Sequence, residues 1–272
     1  MMIQELNGHR FNNAYKKEKP DRDSVLMCFK NGDIFARYDE DSQRLIYPAY
    51  NGQEDVIYIF SVDETKYFLM MEKDVTEDYK PFSMRDLMAL ELKENLDIFA
   101  AYSAFHLYVW YSSSRYCGAC GKQMKHDETE RAMVCPFCGN HVYPRINPAV
   151  IIGVKNKDKL LLTKYKSGFA HNALVAGFTE FGETLEETVE REVMEEAGIH
   201  VKNIRYYKSQ PWGIAADILA GYYCEVDGDD TIHMDDHELK YAEWVKREDI
   251  ILQPKRYSLT NEMMERFKNG LE

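Results

Sequence analysis

Gly177-Phe-Thr-Glu-Phe-Gly-Glu183-Thr-Leu-Glu-Glu-Thr-Val-Glu-Arg191-Glu192-Val-Met-Glu195-Glu196-Ala-Gly198-Ile199 is the stretch on which the fold and the chemistry turn. A charge run this dense is ordinarily a solvated helix face. Angles decide against that here. Taking about 100° per residue and Leu185 as zero, Val189 falls near 40° and Val193 near 80°. Glu186, Glu187 and Glu190 fall at roughly 100–200°, on the side that belongs to water. Glu196 (about 20°) and Glu192 (about −20°) lie in line with the apolar stripe, with Glu195 beside it at about −80°. The inward stripe therefore turns from aliphatic to carboxylate along its length. Three carboxylates converging there repel one another and resist ionisation unless a cation joins them. Hard oxygen ligands in such a cluster suit Mg2+ or Mn2+.

The flanks fit the same reading. Gly177 and Gly182 allow a tight loop that brings backbone close to a phosphate. Gly198 offers a left-handed stop to the helix, with Ile199 able to fold back on its last turn. Arg191 is the only cation between Glu183 and Gly198, and it is placed to hold Glu183 and pin the loop to the helix.

Working outward, residues 146–272 read as strands alternating with two helices. A hairpin over Ala149–Val154 and Leu160–Lys164 comes first, then a short strand over Ala173–Ala176 and the helix Thr184–Ala197. Further strands follow near Ile204–Lys208, Ile218–Glu225 and Ala242–Lys246, and a last helix covers about Leu259–Phe267. This pattern predicts a mixed α/β sandwich with helices flanking a sheet, an α+β class chain.

Upstream, Cys117-x2-Cys120 and Cys135-x2-Cys138 stand fourteen residues apart, each pair followed by glycine. Two such knuckles complete a closed tetrahedral thiolate shell, which suits structural Zn2+ and leaves no open catalytic position. The surrounding module, residues 112–145, carries five basic residues (Arg115, Lys122, Lys125, Arg131, Arg145) against three acidic ones (Asp127, Glu128, Glu130), a net +2 within a chain of −12. Residues 1–111 read as a β-rich domain closed by a helix. Val25–Phe29 and Ile34–Tyr38 flank Asn31-Gly32, a tight-hairpin signal, and Val56–Val62 and Tyr67–Met71 flank Asp63-Glu64-Thr65. Apolar residues then keep helical spacing from Met84 to Tyr111, with Ser83 as N-cap. The division expected is thus 1–111, 112–145 and 146–272.

Composition bounds the rest. At 45% hydrophobic and 29% charged the chain is an ordinary folded protein, and a charge of −12 argues against one that coats nucleic acid. Glu5 and Arg10 interrupt any secretory signal, and Ile98–Ser114, with His106 and four serines, reads as a buried helix rather than a membrane span. Six cysteines, four of them in close pairs, point to a reducing cytoplasm and a metal rather than a disulfide framework.

The stretch from Gly177 to Ile199 matches the Nudix box, Gly-x5-Glu-x7-Arg-Glu-U-x-Glu-Glu-x-Gly-U with U aliphatic, at every fixed position. The order of parts extends the resemblance over nearly the whole chain. An N-terminal domain, a four-cysteine ribbon, Tyr143-Pro144-Arg145, the box, and Ser209-Gln210-Pro211-Trp212 follow one another as in the zinc-ribbon NADH pyrophosphatases. That resemblance implies a zinc-containing homodimer that splits NADH or NAD+ into nicotinamide mononucleotide and AMP with Mg2+ or Mn2+, some members also removing NAD caps from RNA. It implies that Glu192, Glu195, Glu196 and Glu238 hold the divalent ions, that Glu195 or Glu196 serves as base, and that Glu183 and Arg191 form a structural pair. Tyr143, Phe178, Ala176, Glu130, Arg85 and Ser209–Trp212 are implied as substrate contacts.

One departure stands out. The family's Ser-Gln-Pro-Trp continues into Pro-Phe-Pro, whereas this chain has Gly213-Ile214-Ala215. Loss of a stacking ring weakens the grip on a base by about 1–3 kcal/mol. Two alternatives therefore stand beside NAD(H) hydrolysis: the same chemistry on ADP-ribose or a dinucleoside polyphosphate, and a nucleotide-binding regulator without turnover.

Overall fold

A computed structural model describes residues 2–166, 171–237, 239–254 and 257–272. The chain divides into two compact units: Met1–Ile3 with Ile146–Trp212 and Asp217–Glu272, and Gln4–Arg145 with Gly213–Ala216. The residues on either side of 111/112, which the sequence assigns to separate domains, share the second of these.

In that second unit, β1 (Phe11–Asn12), β2 (Val25–Lys30), β3 (Asp33–Asp39), β4 (Arg44–Ile46), β5 (Ile57–Val62), β6 (Thr65–Met71) and β7 (Lys80–Phe82) form one sheet in the order β1-β5-β6-β2-β3-β4, with β7 on β3. The β2–β3 hairpin turns at Asn31-Gly32, both at positive φ, as the sequence predicts. The next hairpin turns in two residues, because Val62 already pairs with Thr65. The single helix expected over Met84–Tyr111 is two, α1 (Met84–Ala89) and α2 (Asn95–Ser113). Backbone groups in the break find tertiary partners instead of helical ones: Lys93 N–H donates to the Gln43 carbonyl at 3.1 Å, and the Glu91 carbonyl accepts the Tyr38 hydroxyl at 2.8 Å. Buried Asp97 then anchors α2 to β4, accepting Arg44 through two bonds of 2.7 and 2.9 Å. Ser83 caps α1 in a full capping box, as expected.

The ribbon adds β8 (Lys125–His126), β9 (Met133–Val134) and β10 (His141–Val142), ordered β10-β9-β8. Arg131 ties it to the sheet, donating to the carbonyls of Ile59 (2.7 Å) and Asn13 (3.1 Å).

In the first unit, β11 (Asn147–Asn156), β12 (Lys159–Tyr165), β13 (Val175–Phe178), β14 (Val201–Trp212), β15 (Asp217–Val226) and β16 (Leu239–Lys246) form a sheet ordered β14-β15-β11-β12-β16, with β13 also on β11. Its two helices are α3 (Leu185–Ala197) and α4 (Leu259–Lys268). Strand alternation sorts the side chains between them. Val150, Ile152, Val154, Leu161, Ala220 and Tyr222 share a core with Val189, Val193 and Ala197 of α3. Ile151, Leu160, Leu162 and Tyr223 share the other with Leu259, Met263, Met264 and Phe267 of α4. Gly221 lets α4 approach closely, since a Cβ there would stand 2.8 Å from Met263 Sδ. The result is the α/β/α sandwich that the strand and helix pattern predicts. Among the described residues no helix is long and apolar enough to cross a membrane.

Candidate active site and thiolate cluster

Helix α3 begins and ends as its sequence dictates. Thr184 caps it, accepting from Glu187 N–H, while the Glu187 carboxylate takes Thr184 N–H at 2.7 Å. Gly198 ends it in the left-handed conformation at φ 68°, and the buried Ile199 joins the core behind. Carbonyls left over from the last turn are taken by a passing loop. His233 N–H donates to Ala197 (2.8 Å) and Asp235 N–H to Glu196 (3.1 Å).

Burial follows the angular reading. Val189 and Val193 are fully buried, each contributing about 1.5–3 kcal/mol. Glu186, Glu187 and Glu190 are exposed, and Glu196 is buried at 3% exposure. Glu192 is mostly covered, with 13% of its side chain accessible, whereas Glu195 remains open at 62%.

Arg191 organises the set. It grips Glu183 through Nε (2.6 Å) and Nη2 (3.1 Å), and Nη2 also donates to the Phe178 carbonyl (2.9 Å). Its Nη1 reaches Glu192 (2.8 Å) and Glu195 (3.0 Å). Glu183 further accepts Glu180 N–H and the Thr188 hydroxyl, both at 3.0 Å. The Arg191 guanidinium, helped by these donors, holds the Glu183 carboxyl down to about 2, and the same pairing raises the guanidinium's own pKa. The loop 178–183 is thus clamped to the middle of α3.

The sheet supplies seats for two of the carboxylates. Gly177, paired with Val150 in β13, lies directly beneath Glu192: a Cβ at this position would land on the Glu192 carboxyl group. Tyr165, at the end of β12, donates its hydroxyl to Glu196 Oε1 at 3.1 Å. The close convergence expected of Glu192, Glu195 and Glu196 is looser than the sequence suggests. Among the described residues the four cysteines alone bring three or more ligand atoms within 4.8 Å of one another. Like charges separate when each has its own partner, here Arg191 for two of them and Tyr165 for the third. Four carboxylates against one guanidinium still leave a net negative, hard-oxygen set that fits divalent cations.

The ribbon cysteines form a tight cluster. Cys117 and Cys138 Sγ lie 3.6 Å apart, Cys120 and Cys135 Sγ 3.5 Å, close to the edge of about 3.8 Å that tetrahedral metal–thiolate bonds require. Each knuckle closes with a glycine at positive φ, Gly121 and Gly139, whose N–H returns to Cys117 or Cys135. Against desolvation, the N–H groups of Ala119 and Cys120 lower the Cys117 thiol, and backbone N–H groups lower Cys135, while sulfur neighbours raise Cys120 and Cys138, so the first protons leave from one thiol of each pair.

The expected substrate contacts divide. Tyr143 and Glu130 meet in the ribbon unit, the tyrosine hydroxyl donating to Glu130 at 2.7 Å with the ring half exposed. Arg85 is exposed on α1 of the same unit. Phe178 presents an exposed ring at the end of β13, and the Ala176 carbonyl lies 3.4 Å from the Tyr165 hydroxyl. Ser209, Gln210, Pro211 and Trp212 all lie on β14. Gln210 is fully buried, its amide donating to the Tyr257 carbonyl (2.7 Å) and accepting Leu259 N–H (2.8 Å), so the fold already uses it to start α4. Glu238 lies outside the described residues. Gly213 packs closely on α2: a Cβ there would stand 2.7 Å from the Tyr102 carbonyl carbon, so a side chain needs the backbone to shift.

Sequence reasoning missed Tyr165, Thr188 and the seat at Gly177. Alternation along β12 was the available signal for the first, since Leu161, Thr163 and Tyr165 point to the α3 side.

A family model described as the NUDIX domain matches residues 145–267, and one described as the NADH pyrophosphatase zinc ribbon domain matches 112–143. Proteins named NAD-capped RNA hydrolase NudC from Shigella flexneri and Escherichia coli are 40% identical over 159 residues, 57% of this chain and 61% of theirs. The chain thus spans about three-fifths of the length of these curated relatives. A NUDIX hydrolase from Nitrosomonas europaea, at 21% identity and a TM-score of 0.50, covers 57% of this chain and 90% of its own, a likeness of fold. Residues 112–143 and 145–267 thus match, in that order, the NADH pyrophosphatase zinc ribbon and the Nudix domain.

Proposed function

We propose that this chain is a divalent-metal-dependent hydrolase that cleaves the pyrophosphate bond of NADH or NAD+ to nicotinamide mononucleotide and AMP, and removes NAD caps from RNA. The observation that carries this reading is the carboxylate set gathered on Arg191, on a Nudix domain directly behind a ribbon of the NADH pyrophosphatase type. Relatives named as NAD-capped RNA hydrolases support the cap as a substrate.

Glu192, Glu195, Glu196 and Glu238 would hold Mg2+ or Mn2+, which supply Lewis-acid polarisation of the phosphate and acidify the attacking water. Glu195 or Glu196 accepts that water's proton on a carboxylate oxygen. The water oxygen bonds to one phosphorus as the bridging P–O bond breaks, and the second phosphate leaves with its nucleoside. Arg191 and Glu183 keep the loop and helix in register. Tyr143 with Glu130, Phe178, Ala176, Arg85 and Ser209, Pro211 and Trp212 are proposed to bind the substrate's two ends. Zn2+ on Cys117, Cys120, Cys135 and Cys138 serves as a structural ion. We read the chain functionally as 1–111, 112–145 and 146–272, acting in the cytoplasm as a homodimer.

A second reading, the same chemistry on ADP-ribose or a dinucleoside polyphosphate, is favoured by Gly213-Ile214-Ala215, which removes the family's stacking ring. A hydrolysis panel separates the two: NADH, NAD+, ADP-ribose, a diadenosine polyphosphate and NAD-capped RNA, with products resolved. AMP plus reduced nicotinamide mononucleotide from NADH is the expected result. Turnover of ADP-ribose with NADH untouched overturns the first reading, and nucleotide binding without any turnover in Mg2+ or Mn2+ overturns both.

A further inference from the structure

We propose that Tyr165 is a positioning residue for the divalent-metal site, fixing the Glu196 carboxylate in its ligating orientation before an ion arrives. The inference rests on the reading that Glu196 is a metal ligand, and it adds a residue that the box does not contain.

Three observations carry it. First, Glu196 sits on the inward side of α3 at 3% exposure, where a carboxylate has lost most of its water. A buried charge in that position requires a donor, or it shifts to its neutral form. Second, the Tyr165 hydroxyl donates to Glu196 Oε1 at 3.1 Å, with the Ala176 carbonyl 3.4 Å from the hydroxyl oxygen as the other acceptor in reach. A hydroxyl has one hydrogen, and the shorter contact, to an ionised acceptor, is the one that takes it. The bond fixes the plane of the carboxylate and hence the direction of its other oxygen. Third, the tyrosine is held from behind. It closes β12, where pairing with β16 steps from Lys164–Tyr241 to Tyr165–Leu239 and skips one residue of β16. Such a bulge re-aims the side chains around it and recurs beside functional sites.

A hydrogen bond behind a ligating carboxylate tunes and orients the ligand, and its loss commonly weakens metal affinity 10–100-fold.

The test is Mn2+ binding by calorimetry to zinc-loaded full-length protein, comparing wild type, Tyr165→Phe and Glu196→Gln, with thermal melting alongside. Phenylalanine keeps the ring and removes only the donor. The expected result is a Kd for Mn2+ raised about tenfold in Tyr165→Phe, a half-saturating metal concentration for hydrolysis moving with it, and KM for NADH unchanged at saturating metal. Combining Tyr165→Phe with Glu196→Gln should weaken Mn2+ no further than Glu196→Gln alone. An unchanged Mn2+ isotherm in Tyr165→Phe, whatever its Tm, overturns the proposal. Wild-type affinity in Glu196→Gln instead removes Glu196 from the metal site, so the two failures are told apart.

Discussion

Gly177→Ala tests the site more sharply than removal of any carboxylate, because it removes no charged group. Position 177 has ordinary strand geometry and pairs with Val150, so alanine's backbone preference suits it. In a strand that change alone stabilises by about 0.5–1 kcal/mol. The added methyl, however, lands on the Glu192 carboxyl group, which must swing off its seat. Moving a side chain off its preferred rotamer costs about 0.5–1.5 kcal/mol. Loss of the 2.8 Å bond from Arg191 costs at most about 1.5–3 kcal/mol, discounted because Arg191 is one-quarter exposed and keeps Glu183. The net change in stability is therefore small, about 1–2 kcal/mol of destabilisation. Activity behaves differently, since displacing a catalytic group by about 1 Å can cost about 100-fold in rate. The assay is kcat on NADH across an Mn2+ titration, read beside the thermal midpoint. Expected is a loss of about 100-fold with Tm lowered by only a few degrees. Full activity with an unaltered Mn2+ response would refute the seat, and activity lost in step with unfolding would refute its specificity.

The other expectations are briefer. Glu195→Gln should lower hydrolysis by at least about 100-fold while fold and zinc survive, and unchanged turnover would remove Glu195 from the metal site. Glu183→Gln should remove an acid-sensitive share of stability. The wild-type carboxyl is depressed from its ordinary 4.5 to about 2, so its contribution is complete above 4.5 and fades as pH falls towards 2. Melting curves of the two proteins should therefore differ at neutral pH and converge near pH 2; a constant gap would contradict the pairing. Stripping zinc with a thiol-directed reagent should unfold the ribbon, read by zinc release and limited proteolysis of residues 112–145. A fully folded but inactive apo-protein would give zinc a direct part in the chemistry.

The Nudix half of this architecture was legible because its elements are decided locally. Thr184, Glu187 and Gly198 set the ends of α3 within a few residues, and the buried Val189, Val193 and Ala197 identify its inner face. Helical periodicity fails where a partner elsewhere in the chain intervenes. Apolar spacing runs unbroken from Met84 to Tyr111, yet the helix stops because Gln43, in the β3–β4 turn, and Tyr38 of β3 offer bonds to the backbone at 93 and 91. The same limit applies at Gln210. Its place in a motif suggests contact with a ligand, and only the three-dimensional neighbourhood shows its amide occupied by Tyr257 and Leu259. Tyr165 and Gly177 belong to this class as well. Each acts on a glutamate many residues away in sequence, so strand alternation can give the face but not the glutamate it meets.

Arg191 shows why a box dominated by glutamate needs its one cation. Nε and Nη2 are committed to Glu183 and the Phe178 carbonyl, contacts that hold loop to helix and do not involve the proposed ligands. Nη1 is the part that reaches Glu192 and Glu195. A guanidinium can divide its labour in this way because its five donors lie in a fixed plane, whereas a lysine ammonium is a single point charge. A metal ion attracts the same carboxylates that Nη1 holds. Glu192 and Glu195 would be shared between Nη1 and such an ion, while the other two nitrogens keep the loop in place. Repulsion within the acidic helix is thus offset by one residue before any ion binds, and that residue need not leave its structural post when one does.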